Sequence, residues 1–302
     1  YKARIKILVK ALGAEKYREL TEAEFAELKD GPMTLTEEEV ARIQGCFTEP
    51  AYRDDVDSGV LDKALQENRA FNRWYHTNTR AHKRDGYRSV TLTLKKTGRI
   101  PGDVSDEQLE AIADLADRYS FGELRNTHQQ NMVLSDVATD DLFELWEKLD
   151  ALGMATPNLG LLTDIVACPG GDLCALANAK SVPVAEGIQR RFDDMDYVHD
   201  LGPLDINISG CMNACGHHHI GHIGILGVDK KGKEFYQITL GGRGDKLSRI
   251  GEKMGPSFES YEVTDVIEKI INVYVDKRLE NEPFIDTYER IGMEPFKEHV
   301  YG

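Results

Sequence analysis

The chain has 302 residues, 41% hydrophobic and 29% charged, which is a soluble globular composition and length enough for one large domain or two ordinary ones. Its 52 acidic residues outweigh 37 basic ones, and a net charge of -15 disfavours general nucleic-acid binding, because an acidic surface repels phosphate backbones. No apolar run approaches the ~20 residues of a membrane helix and no secretory signal opens the chain, so a cytoplasmic protein without membrane contact is expected.

Residues 1 to about 28 read as helix. Ile5, Leu8, Val9 and Leu12 recur at helical spacing, and Gly13 marks a break. Gly31-Pro32 ends that unit, and the capping pattern Thr36-Glu37-Glu38-Glu39 opens a short helix to about Gln44. Residues 1–45 therefore read as a helical end, and 46–68 as a polar linker. From Tyr87 to Leu94 the sequence alternates, with Val90, Leu92 and Leu94 on one face and Thr91 and Thr93 on the other, as in a half-buried strand. Ser105-Asp106-Glu107-Gln108 caps a helix to about Tyr119. A strand over 131–137 and a helix over 139–152 follow. This β-α-β-α order over 69–152 suggests a ferredoxin-like α+β unit.

The pattern changes in residues 153–302, which read as a second, α/β unit. The apolar run Leu161–Ala167 has strand length and delivers Cys168. A helix is expected over 184–192, and a strand over 204–209 delivers Cys211. Strands over 222–228 and 234–240 flank the turn Asp229-Lys230-Lys231-Gly232-Lys233, a hairpin signal. A long helix is expected from Thr264 to about Leu279.

One internal match spans the chain. Lys10-Ala11-Leu12-Gly13-Ala14-Glu15-Lys16-Tyr17-Arg18-Glu19 corresponds to Glu289-Arg290-Ile291-Gly292-Met293-Glu294-Pro295-Phe296-Lys297-Glu298 in its aliphatic residue, glycine, Glu, aromatic, basic residue and Glu. Chance similarity of two helix ends is the plain reading. The sharper one makes each the end of a copy of a duplicated unit, with this chain the carboxyl-terminal part of a longer polypeptide.

Five cysteines are present. Cys168-Pro-Gly-Gly-Asp-Leu-Cys174 and Cys211-Met-Asn-Ala-Cys215 form two close pairs, a pattern of metal ligation in a reducing compartment rather than of a disulfide scaffold. Four thiolates can hold one [4Fe-4S] cube, with one outer ligand per iron, while proline and glycines set tight turns around the sulfides. A Zn(Cys)4 site is the rival, which C-x5-C suits poorly. A mixed Cys/His zinc site is another, since His217, His218, His219 and His222 crowd behind Cys215, with His218 and His222 spaced i, i+4. Cys46 fits neither motif and reads as a buried free thiol.

The paired motif, in the settings Asp164-Ile165-Val166-Ala167-Cys168-Pro169-Gly170 and Asn207-Ile208-Ser209-Gly210-Cys211-Met212-Asn213-Ala214-Cys215-Gly216, resembles the signature of the sirohaem-containing sulfite and nitrite reductases, most closely the assimilatory sulfite reductase haemoprotein. The resemblance covers essentially the whole chain. It implies the second half of a pseudo-two-fold architecture, a ferredoxin-like unit followed by a sirohaem and [4Fe-4S] domain. Cys168, Cys174, Cys211 and Cys215 would bind the cluster, and Cys215 would also be the axial ligand of the sirohaem iron. Asn213 would contact the cofactors. Arg125-Asn126-Thr127-His128-Gln129-Gln130 is similar to the family's R-x-T-x-x-Q segment, which faces sirohaem, so Arg125, Thr127, Gln130 and Asn131 are candidates to hold its carboxylates.

The basic stretch Asn78–Arg84 reads either as a solvated face or as a surface for an anionic cofactor or the other half. The implied activity is six-electron reduction of sulfite to sulfide, with nitrite reduction to ammonia as the alternative. A non-catalytic zinc or iron–sulfur protein is the alternative of another class. The implied partners are the missing amino-terminal half and a ferredoxin or flavoprotein electron donor. The family's substrate-binding cations come mainly from the first half, so no catalytic residue is assigned here, and the four histidines have no assigned role.

Overall fold

A computed structural model describes residues 4–302; the helical start expected over residues 1–3 lies outside them. The chain divides into two compact units, the first running to Tyr52 and the second from Arg53 to Gly302.

The first unit is helical, as its pattern requires. Helices α1 (Ile5–Leu12) and α2 (Ala14–Leu28) meet at Gly13, whose φ of +81° is available to glycine at little cost. Helix α3 (Glu37–Gln44) starts where Thr36 accepts the N–H of Glu39. None of the residues of α1, α2 and α3 is buried. Cys46 is exposed, not buried as expected. It lies just past the end of α3, where its thiol donates to the Arg42 carbonyl.

The second unit opens with α4 (Ser58–Glu67), so the stretch read as a polar linker carries a helix, capped by Asp57. Next come α5 (Arg69–Asn78), β1 (Thr79–Ala81), β2 (Tyr87–Leu92), α6 (Asp106–Tyr119), β3 (Arg125–Asn126), β4 (Met132–Ala138) and α7 (Leu142–Ala151). The capping box of Ser105 and Gln108 forms as expected. A 3-10 turn over Thr139–Asp141 replaces the expected first turn of α7. The strands make an antiparallel sheet in the order β1-β2-β4-β3. Val90 sits opposite Leu134, and with Leu92 it packs on Phe71, Trp74, Ile112 and Leu145. The strand is buried on both faces, not half-buried. Thr91 and Thr93 are both covered, and Thr93 donates to the Thr156 carbonyl.

The rest of the unit comprises β5 (Val166–Ala167), α8 (Val182–Arg191), α9 (Met195–Leu201), β6 (Ile206–Ser209), β7 (Ile223–Lys230), β8 (Lys233–Leu240), β9 (Glu252–Lys253), β10 (Phe258–Glu259), α10 (Val263–Lys277), α11 (Phe284–Ile291) and α12 (Glu294–Tyr301). Their sheet has the order β10-β8-β7-β6-β5, with β9 alongside β8. Strands β5, β6 and β7 run parallel, and β7 and β8 form the expected hairpin. Its two-residue turn has positive φ at both Lys231 and Gly232. The run Leu161–Ala167 is strand only at its last two residues. The Asp164 N–H donates to the Leu161 carbonyl in a turn, and periodicity does not distinguish such an all-round buried run from a strand.

Register sorts the sheet into two faces. Ile206, Ile223 and Leu240 align across β6, β7 and β8, as do Ile208, Ile225 and Ile238. These residues form one core with Ile188 of α8, Ile267 and Ile271 of α10, and Phe284 and Phe296 of α11 and α12. Each such side chain contributes about 2 kcal/mol by leaving water. The alternate positions Asn207, Gly224 and Thr239 are polar or small and face the other way.

The internal match is a structural one. Gly292 joins α11 to α12 with φ +73°, as Gly13 joins α1 to α2, and each glycine N–H bonds back to the carbonyl four residues earlier. Phe284, Ile285, Tyr288, Phe296 and Val300 of α11 and α12 are all buried.

Candidate iron–sulfur and haem site

The parallel strands carry both cysteine motifs. Pairing of Val166 with Asn207 and of Ala167 with Ile208 brings the carboxyl ends of β5 and β6 side by side, so Cys168 and Cys211 leave the sheet as neighbours. Open parallel sheets gather ligands at this end. The ladder continues one residue further, because the Cys168 N–H donates to the Ile208 carbonyl at 3.0 Å. Both cysteines are 8% exposed.

The loops that follow touch each other. The N–H groups of Asn178 and Ala179 donate to the Gly210 carbonyl at 2.8 and 3.0 Å. A Cβ at Gly210 would lie 2.6 Å from the Ala179 oxygen and 2.9 Å from the Gly170 Cα, so only glycine lets these backbones meet. The Gly210 N–H donates to Cys168 Sγ at 3.0 Å, and Ser181 Oγ stands 3.4 Å from the same sulfur. Cys174 closes a turn by donating its N–H to the Gly170 carbonyl and is half-buried.

After Cys211 the chain turns repeatedly. Ala214 donates to Cys211 and His217 to Ala214, and both Ala214 and His217 have positive φ. A Cβ at Gly216 would fall 1.9 Å from the Ile208 oxygen, so the turn presses onto β6 and the neighbouring Cys215 stays exposed. Asn213 is half-buried between the two cysteines. No helix spans 211–222, so His218 and His222 do not form a helical pair. His218 is fully buried with neither ring nitrogen bonded, and burial together with His219 lowers its pKa to about 4. His222 Nδ1 accepts the Asp205 N–H. Burial pushes the His222 imidazole down and the Asp205 carboxyl up. A cleft of about 480 Å³ is lined here by His128, Gln129, Asp164, Asn207, His217 and His222, among others.

The expected haem-facing segment lies along β3 and its turn. Arg125 is exposed and paired with Glu123 at 2.7 Å, and Thr127 accepts the Asn131 N–H. Gln130 engages both backbone groups of Ala167, accepting its N–H at 3.0 Å and donating to its carbonyl at 2.7 Å. Asn131 is buried, accepting the Leu94 N–H and donating to Asp164. Gln130 and Asn131 are thus brought against the strand that delivers Cys168, with their amides already engaged by the chain. Of the basic stretch, Arg80 donates to the carbonyls of Thr77 and Thr79, and Arg84 pairs with Asp54. Sequence reasoning missed Ser181 and Lys95, since nothing local in the sequence points a lone serine or lysine at a distant cysteine strand.

Comparison with known proteins places this geometry. Residues 161–302 match the model of the nitrite and sulphite reductase 4Fe-4S domain, and residues 81–152 that of the nitrite/sulfite reductase ferredoxin-like half domain. The chain belongs to the nitrite and sulphite reductase family. A "sulfite reductase [ferredoxin] 2" from Mycolicibacterium paratuberculosis is 31% identical, over 94% of this chain and 46% of the relative. A chloroplastic ferredoxin–nitrite reductase from Zea mays is 28% identical, over 73% of this chain and 40% of the relative. The Mycobacterium tuberculosis NirA structure superposes with a TM-score of 0.63 at 26% identity, covering 98% of this chain and 49% of NirA. A dissimilatory sulfite reductase I structure, at 15% identity and a TM-score of 0.59, shares the fold. The chain spans about half the length of the curated relatives it matches.

The family's cofactors are a sirohaem and a [4Fe-4S] cluster. The residues present fit the cluster in donor chemistry and in framework, with four free cysteines on two contacting loops and a backbone N–H aimed at one thiol. Among the described residues no three Cys, His, Asp or Glu side chains converge closely enough for a single metal ion. A cube seats its thiolates on four separate irons and so spaces them more widely than one ion does. Among the described residues no helix is long and apolar enough to cross a membrane.

Proposed function

We propose that this chain is the cluster-bearing half of an assimilatory sulfite reductase, in which Cys168, Cys174, Cys211 and Cys215 hold a [4Fe-4S] cube and Cys215 is shared with the sirohaem iron. The observation that carries the reading is the meeting of the two cysteine loops at Gly170 and Gly210, on neighbouring parallel strands. When bound, the cluster and the sirohaem would supply one-electron chemistry to the substrate anion. The protein's part is placement. The β5–β6 ladder fixes Cys168 and Cys211, and the turn over Gly216 presents Cys215 outward. Arg125 and Thr127 would offer donors to haem carboxylates, and Asn213, half-buried between Cys211 and Cys215, would contact the cofactors. Gln130 acts on Ala167 of β5, and Asn131 on Asp164 ahead of it.

In this reading residues 69–152 are the ferredoxin-like unit, 153–302 the sirohaem and cluster domain, and 1–45 the end of a preceding copy. The matching helix–glycine–helix segments support the duplication. A ferredoxin is the donor, as the relatives' names suggest, and the setting is cytoplasmic. Nitrite reduction is the second reading, favoured by the likeness to the ferredoxin–nitrite reductases. Turnover of both anions by the whole polypeptide, with a reduced one-electron donor, decides between them. A higher kcat/KM for sulfite, with sulfide as product, is expected. Faster turnover of nitrite to ammonia would reverse the assignment, and reduction of neither anion would refute the enzyme reading.

A further inference from the structure

One buried cation lies outside every role described so far. Lys95, just past the end of β2, is 0% exposed. Its ammonium makes three hydrogen bonds, to the carbonyls of Gln129 at 2.9 Å and Ile165 at 2.8 Å and to Asp164 Oδ1 at 3.3 Å. Asp164 Oδ1 also takes the Asn131 amide at 3.0 Å, and Oδ2 takes the Gly160 N–H at 2.9 Å. The Lys95 carbonyl in turn accepts the side-chain amides of Asn158 and of Gln189 on α8. Burial pushes the Lys95 ammonium's pKa down, and Asp164 opposes that shift.

Stability alone does not account for such a pair. Desolvation of both ions costs about what their attraction returns, and well-packed apolar residues often serve as well. An apolar side chain of the same volume could not do one thing Lys95 does. It holds two backbone carbonyls from separate segments on one ammonium, Gln129 in the turn after β3 and Ile165 just ahead of β5. Gln130 fastens the same turn to Ala167, the residue before Cys168.

We infer that Lys95 is a positioning residue for the cluster site, locking the segment that carries Arg125 and Thr127 onto the strand that delivers Cys168, so that the haem-facing turn and the first cluster ligand form one rigid piece. The inference rests on the cluster assignment proposed above. Through it, Lys95 sets the distance and angle between the two redox groups without touching either.

The test uses the full polypeptide containing this chain, produced with its cofactors, as wild type, Lys95→Met, and the double variant Lys95→Met/Asp164→Asn. The double variant removes both charges and guards against misfolding caused by a lone buried carboxylate. Acid-labile sulfide, the electron paramagnetic resonance of the reduced protein, the cluster midpoint potential, kcat and KM are read beside the melting temperature. The double variant is expected to melt close to wild type and retain its sulfide. Its paramagnetic signature and midpoint should nonetheless change, and kcat should fall roughly ten- to a hundredfold at unchanged KM. A variant that melts earlier but keeps the wild-type signature, midpoint and kcat would make Lys95 merely structural and overturn the inference. Absence of acid-labile sulfide from the wild type would instead refute the cluster assignment, and Lys95's role with it.

Discussion

The two cysteine motifs are built alike at their starts and differently at their ends. Cys168 and Cys211 each follow a parallel strand, and each is 8% exposed. Cys174 and Cys215 belong to loops, the first half-buried and the second exposed. The sheet therefore sets Cys168 and Cys211 at the ends of its paired strands, while the other two thiols ride on turns beyond its edge. The exposed member, Cys215, is the one assigned to the haem, and a ligand shared with a second cofactor must be reachable from outside the first loop.

That contrast can be broken at four points. The largest effect is expected at Cys215. Cys215→Ser should cost more than the roughly hundredfold loss typical of a residue behind a metal ligand, with sirohaem dissociating, whereas Cys174→Ser should leave haem in place. Absorbance and pyridine-haemochrome titration of the two variants would check this. Gly210→Ala comes next. Its methyl would meet backbone on both sides, at 2.6 and 2.9 Å, for about 3 kcal/mol of lost stability and parted loops, measurable by denaturant unfolding. Gln130→Ala strips two hydrogen bonds from Ala167 and should cost about 2 kcal/mol in the same assay, while leaving the Cys211 loop as it is.

The smallest effect concerns pH. His218 has a folded pKa lowered to about 4 from 6.5, so the unfolded chain takes up a proton that the folded one refuses. Stability is then fullest above pH 6.5 and falls as the pH drops toward 4. Between pH 7 and 5.5 the loss should be about 1 kcal/mol, and His218→Leu should remove that part of the pH dependence. Parallel melting curves of both proteins at the two pH values would show it.

Much of this was legible in the residues. The capping box at Ser105, the β7–β8 hairpin and the delivery of Cys168 and Cys211 by strands are local patterns, and each formed as read. The helix–Gly13–helix and helix–Gly292–helix segments were legible too, yet α11 and α12 bury Phe284 and Phe296 while none of the α1 and α2 residues is buried. Local sequence dictates the turn, and burial depends on what packs against it. The failures were non-local. The run Leu161–Ala167 looked like strand because most of it is apolar, yet its burial extends to Thr163 and Asp164 and reflects packing on all sides rather than a strand's alternation. Helix α5 was missed because Asn72, Thr77 and Asn78 are weak helix formers, and it is held instead by burial of Phe71 and Trp74. Gln130 and Asn131 looked like cofactor donors, and only the fold shows their amides turned onto Ala167 and Asp164.

The proposed centre is one cube held by four cysteines on two touching loops and wired to a haem. The most direct measurement is the ultraviolet–visible spectrum of the protein from its natural source, with iron and acid-labile sulfide counted. A Soret band, a red-region band of a reduced porphyrin and about four sulfides per chain, as one cube requires, are predicted. A colourless protein containing zinc would contradict the claim and leave the cysteines a structural role.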